Sequence, residues 1–189
     1  MKRRRFIELF SLAFIFPSWA SGRKPLTPKD AEGPFYPVEV IPLREDLILK
    51  ENGLNGSPMV LSGRVFDQQG QPLANMKIEI WQCDGAGIYH HPRQANTEKH
   101  DSHFAGNGAV VTDEQGRYQF RTLYPVPYTG RPPHIHVKLW RGHSELLTTQ
   151  LYLKGQTGNE WWGKNRDLLQ MSPQKSASGQ YSAIYDFVV

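Results

Sequence analysis

The chain has 189 residues, of which 39% are hydrophobic and 21% are charged, a balance typical of one folded domain and unlike that of a disordered chain. Its 17 glycines and 14 prolines favour short strands joined by turns over a helical bundle. The formal net charge is +4, but four basic residues and one acidic residue in positions 1–20 account for +3 of it. The remainder is nearly neutral, so the charge gives no support to nucleic-acid binding.

Residues 1–20 have the organisation of an export signal. Basic residues from Lys2 to Arg5 precede an apolar run from Phe6 to Phe16, and Ser18-Trp19-Ala20 is a small-x-small cleavage site. The run is too short to cross a bilayer, which takes about 20 residues. The string RRRFI is typical of a twin-arginine signal, and a general secretory signal is the alternative. We therefore expect a protein with no membrane span that is exported to the periplasm or outside the cell.

The rest of the chain predicts an all-β protein. Residues 21–58 are rich in proline and predict an extended arm with one short helical turn at 43–50. A second short helix is predicted near 160–169. Residues 59–189 predict an antiparallel β-sandwich, because alternating apolar and polar residues are bounded by turn signals. The predicted strands are Leu61–Phe66, Lys77–Cys83, Arg117–Thr122, Ile135–Trp140, Thr148–Leu153 and Ser182–Val189.

The string His134-Ile135-His136 is the first candidate for chemistry. In a strand, residues two apart face the same side, so both imidazoles could bind one metal ion while Ile135 faces the core. Such a pair alone is more often structural. Two further segments present a tyrosine. Tyr128 follows a stiff, proline-rich stretch, and Tyr89 ends a glycine-rich turn after a strand. Taken singly, they are also compatible with a rigid surface turn and with a hairpin that packs a tyrosine.

Together, these segments resemble the intradiol ring-cleavage dioxygenases, the family of protocatechuate 3,4-dioxygenase and catechol 1,2-dioxygenase. The matching strings occur in the family's order over roughly residues 30–155. They are GPFYP at 33–37, LSGRVFDQQGQPLANMKIEIWQCDGAGIY at 61–89, TDEQGRYQFRTLYPVPY at 112–128, RPPHIHVKL at 131–139 and TTQLY at 148–152. The resemblance implies a β-sandwich of the intradiol type. The short region before residue 61 lacks the helical module of the catechol enzymes, so the chain is most similar to the iron-bearing protocatechuate subunit or to a short exported member.

The resemblance also implies a ligand set for non-haem Fe(III). Carried over motif by motif, the ligands are Tyr89, Tyr128, His134 and His136, and the substrate pocket contains Arg131 and Gln150. The donor chemistry agrees, because tyrosine has an ordinary pKa of about 10 and only a strong Lewis acid holds it deprotonated at neutral pH. Zinc sites more often use histidine with cysteine or carboxylate, and Fe(II) oxygenases use two histidines and one carboxylate.

The implied reaction is the cleavage of a catechol-type diol by O2, between the two carbons that carry hydroxyls, to a cis,cis-muconate-type diacid. Tyr128 would accept a substrate proton and Arg131 would stabilise the anionic substrate. The resemblance leaves the oligomer open between a homodimer and a pair with a related subunit. Two alternatives remain at this point: a transthyretin-like β-sandwich that binds without catalysis, and a protein that binds zinc or copper through its histidines.

The remaining unusual residues receive structural interpretations. The histidines at 90, 91, 100 and 103 could form a second metal site, but neighbouring charged residues favour a solvated loop. Cys83 is the only cysteine and is predicted to be a small buried side chain without a disulfide partner. The pair Trp161-Trp162 is interpreted as packing.

Overall fold

The computed structural model describes residues 22–157 and 165–189. The predicted export signal, Trp161-Trp162 and the first half of the helix predicted near 160–169 lie outside these residues. The second half contains a single 3-10 turn at Arg166–Leu169, and another occupies Thr97–Lys99. The strands of the described residues are β1 (Pro58–Phe66), β2 (Met76–Trp81), β3 (Asn107–Val111), β4 (Arg117–Leu123), β5 (His134–Arg141), β6 (Ser144–Leu153), β7 (Gln170–Met171), β8 (Gln174–Lys175), β9 (Tyr181–Ile184) and β10 (Phe187–Val188).

The strands form two five-stranded sheets, which confirms the predicted all-β sandwich. In the first sheet, β1 pairs antiparallel with β4 and parallel with β9 and β10, and β8 joins β9. The second sheet has the order β3-β2-β5-β6-β7 and is antiparallel except for the β6–β7 pair. The sheets are mixed and not purely antiparallel as predicted, because short strands from the C-terminal part of the chain run parallel to their neighbours.

The main core lies between the two sheets. Ile78 and Ile80 of β2 point into it, as do Ile135, Val137 and Leu139 of β5, and all five side chains are at most 1% exposed. The alternation predicted for these strands is therefore confirmed. Burying each side chain of this kind stabilises the fold by about 1.5–3 kcal/mol relative to leaving it in water.

The opposite face of the second sheet carries polar and aromatic side chains. His134 and His136 of β5 point to this face, and the register pairs His136 with Trp81 of β2 and with Gln150 of β6. The N-terminal segment crosses the face after following the edge of the sandwich. Its backbone bonds to β10 through Thr27 and to β6 through Asp30.

The helical turn predicted at 43–50 is wrong. The segment runs extended, with single β-bridges from Leu43 to Ala109, from Asp46 to Arg121 and from Ile48 to Phe104. Its backbone groups bond to both sheets and its Leu47 side chain is fully buried. Tertiary pairing here outweighs the local preference for a turn of helix.

The predicted strands also need correction, because the prediction lacks β3, β7 and β8 and joins β9 to β10. The strand β3 was not expected, because Asn107 and Gly108 weaken its strand pattern; a Cβ on Gly108 would lie 2.4 Å from the carbonyl oxygen of Arg44. The single strand predicted at Ser182–Val189 is two strands, β9 and β10. The chain bends between them where Asp186 accepts a hydrogen bond from the backbone N–H of Arg64 at 2.8 Å. Among the described residues, no helix is long and apolar enough to span a bilayer.

Candidate active site

The structure brings the four predicted metal ligands together on the outer face of the second sheet. The ring centroids of His134 and His136 are 4.6 Å apart, and those of Tyr89 and Tyr128 are 5.2 Å apart. Tyr128 lies 5.5 Å from His134, and Tyr89 lies 6.2 Å from His136. Side chains from one strand and two separate loops therefore converge on one small volume.

The loop after β2 delivers Tyr89. The buried carboxylate of Asp84 accepts backbone N–H bonds from Ala86 at 2.8 Å, from Ile88 at 3.0 Å and from Asp101 at 2.8 Å. These bonds close a tight turn, so the Tyr89 ring is placed by an Asx-type loop in addition to packing. The ring is 2% exposed and stacks on Phe35 of the N-terminal segment at 4.7 Å.

A second turn delivers Tyr128. The backbone N–H of Arg131 donates to the Tyr128 carbonyl at 2.7 Å, and Gly130 occupies the third position with φ 72°, a conformation that favours glycine. The two tyrosine loops pack on each other at Gly87, where a Cβ would lie 3.2 Å from the carbonyl oxygen of Pro127. Tyr128 is half-buried, unlike Tyr89.

The Nε2 atoms of the two histidines face each other and are 3.1 Å apart. The Nδ1 atom of His134 lies 2.6 Å from the carbonyl oxygen of Pro132, and since a carbonyl only accepts, Nδ1 carries the proton. The Nε2 of His134 therefore presents a lone pair to the site, as a metal-binding histidine must.

Burial favours the uncharged form of all four side chains. It lowers the pKa of His134 to about 4 and the pKa of His136 well below its ordinary value. Burial also raises the pKa of both Tyr89 and Tyr128, against the opposing attraction of Arg131. Both imidazoles are thus free bases at neutral pH, and the phenols ionise only if a cation is supplied.

These four residues fit a trivalent metal ion. The Tyr89 hydroxyl is buried and has no hydrogen-bond partner among residues 22–157 and 165–189, which is costly for a polar group unless something else binds it. The two imidazoles and the two phenols are uncharged before a metal binds. A strong Lewis acid displaces the protons of the two phenols, so the four ligands then carry two negative charges. Among the described residues, no group of three or more His, Cys, Asp or Glu side chains could hold a metal ion. A metal at this face would therefore need the tyrosines.

The two predicted pocket residues are also present and bonded to each other. Arg131 donates from Nη2 to Oε1 of Gln150 at 2.6 Å, and the fully buried Gln150 donates to the carbonyl oxygen of Ala31 at 2.5 Å. The single hydroxyl proton of Tyr152 lies between two acceptors, the same Gln150 oxygen at 2.9 Å and the Asp30 carboxylate at 2.8 Å. A continuous polar network therefore links Arg131 to the N-terminal segment.

The other histidines lie beside the site but outside it. The rings of His90 and His100 stack at 5.2 Å, and His103 bonds to Asp101 at 2.7 Å. His91 is 2% exposed, so the loop is less solvated than predicted. Cys83 is buried as predicted and its thiol lies 3.8 Å from the carbonyl oxygen of Val126.

A groove of about 670 Å³ opens on another part of the surface. Its lining includes Ser62, Arg64, Arg117 and Ile184, but none of the four candidate metal-binding residues lines it. The convergence of donor atoms therefore identifies the site better than the size of a depression does.

Several residues of the site were not predicted as such. Asp30, Tyr152 and the buried Arg166 belong to one cluster, in which Arg166 lies over the Tyr152 ring at 4.7 Å and 3.3 Å from the Asp30 carboxylate. Asp30 is more than 100 residues from Tyr152 and Arg166 in the chain, so only the fold brings it to them. Gly33 belongs to the GPFYP motif, but the motif does not predict its contact with His136.

Comparison with known proteins agrees with this geometry. A family model described as "Dioxygenase" matches residues 31–159. The chain is 34% identical over 166 residues to the protocatechuate 3,4-dioxygenase beta chain of Burkholderia cepacia, with 76% of this chain and 70% of that protein covered. It is 31% identical to a catechol 1,2-dioxygenase of Acinetobacter baylyi, covering 72% of this chain but 49% of that protein.

A solved structure of similar extent is the dioxygenase domain of a dioxygenase carbohydrate-binding protein fusion from the cellulolytic bacterium Streptomyces sp. SirexAA-E. It matches with a TM-score of 0.71 and 32% identity, covering 87% of this chain and 98% of that domain. The chain spans about half the length of the catechol enzyme but nearly all of this domain. The family match, the sandwich and the matching motifs together lead to one conclusion: the chain belongs to the family of intradiol ring-cleavage dioxygenases.

Proposed function

We propose that the chain cleaves a catechol-type aromatic diol with O2 at an Fe(III) ion held by Tyr89, Tyr128, His134 and His136. The observation that carries the proposal is the convergence of two imidazole nitrogens and two phenols, one of which is buried and has no hydrogen-bond partner in the described part of the chain. The names of the related proteins support the same class of reaction. The product would be a cis,cis-muconate-type diacid.

Bound iron would supply a strong Lewis acid, which would favour loss of the hydroxyl protons of the diol and make the diol reactive towards O2. The role of the protein is to hold the donors and to move protons. Tyr89 is suited to a permanent ligand, because its ring is buried and its loop is closed by Asp84. Tyr128 is suited to leave and accept a substrate proton at its phenolate oxygen, because it is half-buried and lies on a turn beside exposed residues.

Arg131 is suited to bind the anionic substrate. One Nη2–H bond to Gln150 fixes the guanidinium and leaves its other N–H groups for a ligand. A fixed cation beside a developing negative charge lowers the free energy of the transition state without reorganisation at the moment of reaction. The residue also lies on the turn that carries Tyr128, so the proton acceptor and the cation are positioned together.

The two alternatives explain the site less well. A β-sandwich that only binds has no need for a buried phenol that lacks a hydrogen-bond partner within the described residues and lies beside two convergent imidazoles. A zinc or copper protein would be expected to add a thiolate or carboxylate, whereas the donors that accompany these histidines are phenols.

The test is O2 consumption with catechol and related diols, with ring-opened diacid identified by mass spectrometry. The wild-type iron-loaded protein should consume one O2 per diol. Tyr128→Phe should lose about 100-fold or more in turnover, the usual size of a general-base contribution. Tyr124→Phe is the control, because Tyr124 lies on the same proline-rich segment but its ring packs against Tyr181, with centroids 4.4 Å apart. Equal turnover in both variants would refute the role of Tyr128.

We also propose export through the twin-arginine route, which rests on the sequence of residues 1–20 alone. The exported protein should begin at Ser21 by mass spectrometry. Replacing Arg3, Arg4 and Arg5 with lysine keeps the charge, so a general secretory signal would continue to work. Loss of export in that variant supports the twin-arginine signal, and unchanged export contradicts it.

A further inference from the structure

We propose that Gly33 is a positioning residue for His136, so that the N-terminal segment is part of the metal site. The inference rests on the proposed function for the identity of the metal. Two observations support it: the two histidines are oriented by different contacts, and the Gly33 backbone lies so close to His136 that an added Cβ would crowd the ring.

The two histidines are oriented by different devices. His134 bonds through Nδ1 to the carbonyl oxygen of Pro132, the kind of outer bond that metal-binding histidines usually make. The Nδ1 of His136 is buried and has no partner in the described part of the chain. A hydrogen bond therefore does not fix the orientation of the His136 ring, and packing must do so.

Trp81 provides one half of that packing. Its indole stacks on the His136 ring with centroids 4.8 Å apart and planes 7° apart. The indole N–H is itself buried without a partner within the described residues, a cost that a phenylalanine would not carry. The flat area of the indole against His136 accounts for a tryptophan at this position.

Gly33 provides the other half. A Cβ built on it would lie 3.0 Å from Cε1 of His136, 3.5 Å from Nε2 and 3.9 Å from Nδ1. The backbone of Gly33 therefore abuts the Cε1 edge of the ring, next to the nitrogen that faces the site. With Trp81 against one face, the ring has little room to yield to a methyl group. Gly33 also has φ 77°, which glycine adopts without strain.

Polar anchors on both sides hold Gly33 at that edge. The carbonyl oxygen of Ala31 accepts from Gln150, and Glu32 forms an ion pair with the buried Lys138. On the other side, the Tyr36 hydroxyl donates to Glu79 at 2.9 Å. These anchors belong to β6, β5 and β2, the three strands that meet at His136, so the segment is fastened around the histidine rather than to one edge of the sheet.

The test compares iron binding by Gly33→Ala and by Gly142→Ala, each measured by chelator competition and by the visible tyrosinate-to-iron band. Gly142 also has a left-handed backbone, with φ 57°, but an added Cβ there has nothing within 4 Å. In both variants alanine is strained by the positive φ, but only in Gly33→Ala does the added methyl group contact a candidate metal-binding residue, His136. We expect about 10- to 100-fold weaker iron binding and a shifted band in Gly33→Ala, the usual cost of disturbing a residue behind a ligand.

A second variant covers the case in which Gly33→Ala does not fold. Glu32→Gln removes one anchor and leaves Lys138 with Glu145 at 3.4 Å, so the fold should persist while the band shifts in the same direction. If both variants bind iron and absorb as Gly142→Ala does, the role of Gly33 is refuted and the proposed function stands. If the wild-type protein itself binds no iron, the proposed function fails.

Discussion

The substitution Gln150→Leu tests the polar network behind Arg131. It keeps the approximate volume of a fully buried side chain and removes two hydrogen bonds, from Arg131 and to Ala31, together with one of the two acceptors that share the Tyr152 hydroxyl proton. Tyr152 keeps its bond to Asp30, and the carbonyl of the exposed Ala31 can bond to water. At about 1.5–3 kcal/mol for the bond from the charged Arg131 and about 0.5–1.5 kcal/mol for the bond to Ala31, and with some gain from burying leucine, the loss of unfolding free energy should be about 2–3 kcal/mol.

That loss corresponds to a fall in Tm of about 4–12 °C for a domain of this size. Urea unfolding and thermal unfolding would measure the stability, and steady-state kinetics would measure the site. Because Gln150 fixes Arg131 and touches none of the four ligands by hydrogen bond, iron content should stay near that of the wild type. The kcat/KM for catechol should fall about tenfold or more, since a mobile guanidinium stabilises the substrate less well.

Gln150→Glu is the matched comparison. Its carboxylate can still accept from Arg131 and Tyr152 but loses the donor to Ala31, so Arg131 should stay in place and kcat/KM should fall less than in Gln150→Leu. The reasoning is refuted if Gln150→Leu retains both the wild-type Tm and the wild-type kcat/KM. It is also refuted if Gln150→Leu loses iron while its stability is unchanged.

Two further predictions concern the loop around Tyr89. Asp84→Ala should lower the unfolding free energy by about 2–4 kcal/mol and reduce iron content, because three backbone N–H groups lose their acceptor. Asp84→Asn keeps an acceptor for two of these N–H groups and should be less destabilised. Equal effects of the two variants in urea unfolding would contradict this prediction. Burial, opposed by the nearby Asp84, lowers the pKa of His100 below its ordinary 6.5, so the unfolded chain takes up a proton first as the pH falls. Stability should therefore decrease below pH 6.5 through this residue. In His100→Asn, urea unfolding between pH 7 and 5 should show a smaller decrease, and an unchanged slope would be evidence against this contribution.

The sequence predicts the parts of this fold that local pattern determines. Alternation in β2 and β5 assigns Ile78 and Ile135 to the core and His134 and His136 to the other face, as the structure confirms. The family and the all-β sandwich follow from motifs whose order is preserved. The meeting of Tyr89 and Tyr128 with the histidines was predicted through the resemblance, because no local pattern brings two loops to one strand.

What the sequence could not predict depends on contacts between distant segments. Leu43 to Ile48 has the local character of a helical turn, yet it bridges to Ala109, Arg121 and Phe104 and becomes extended. Gly108 weakens the strand pattern of β3, although its lack of a side chain is what lets Arg44 approach. The contact between Gly33 and His136 joins positions about 100 residues apart. Only a three-dimensional structure can reveal such a pair.

The most direct test of the central claim is the visible spectrum and iron content of the purified mature protein, recorded before and after anaerobic addition of catechol. Two tyrosinates on Fe(III) predict about one iron per chain and a red-brown charge-transfer band that shifts when the diol binds. Tyr89→Phe and Tyr128→Phe should each change the band, whereas Tyr124→Phe should not. A colourless protein that takes up no iron, or one that binds zinc or copper instead and shows no response to catechol, would contradict the account.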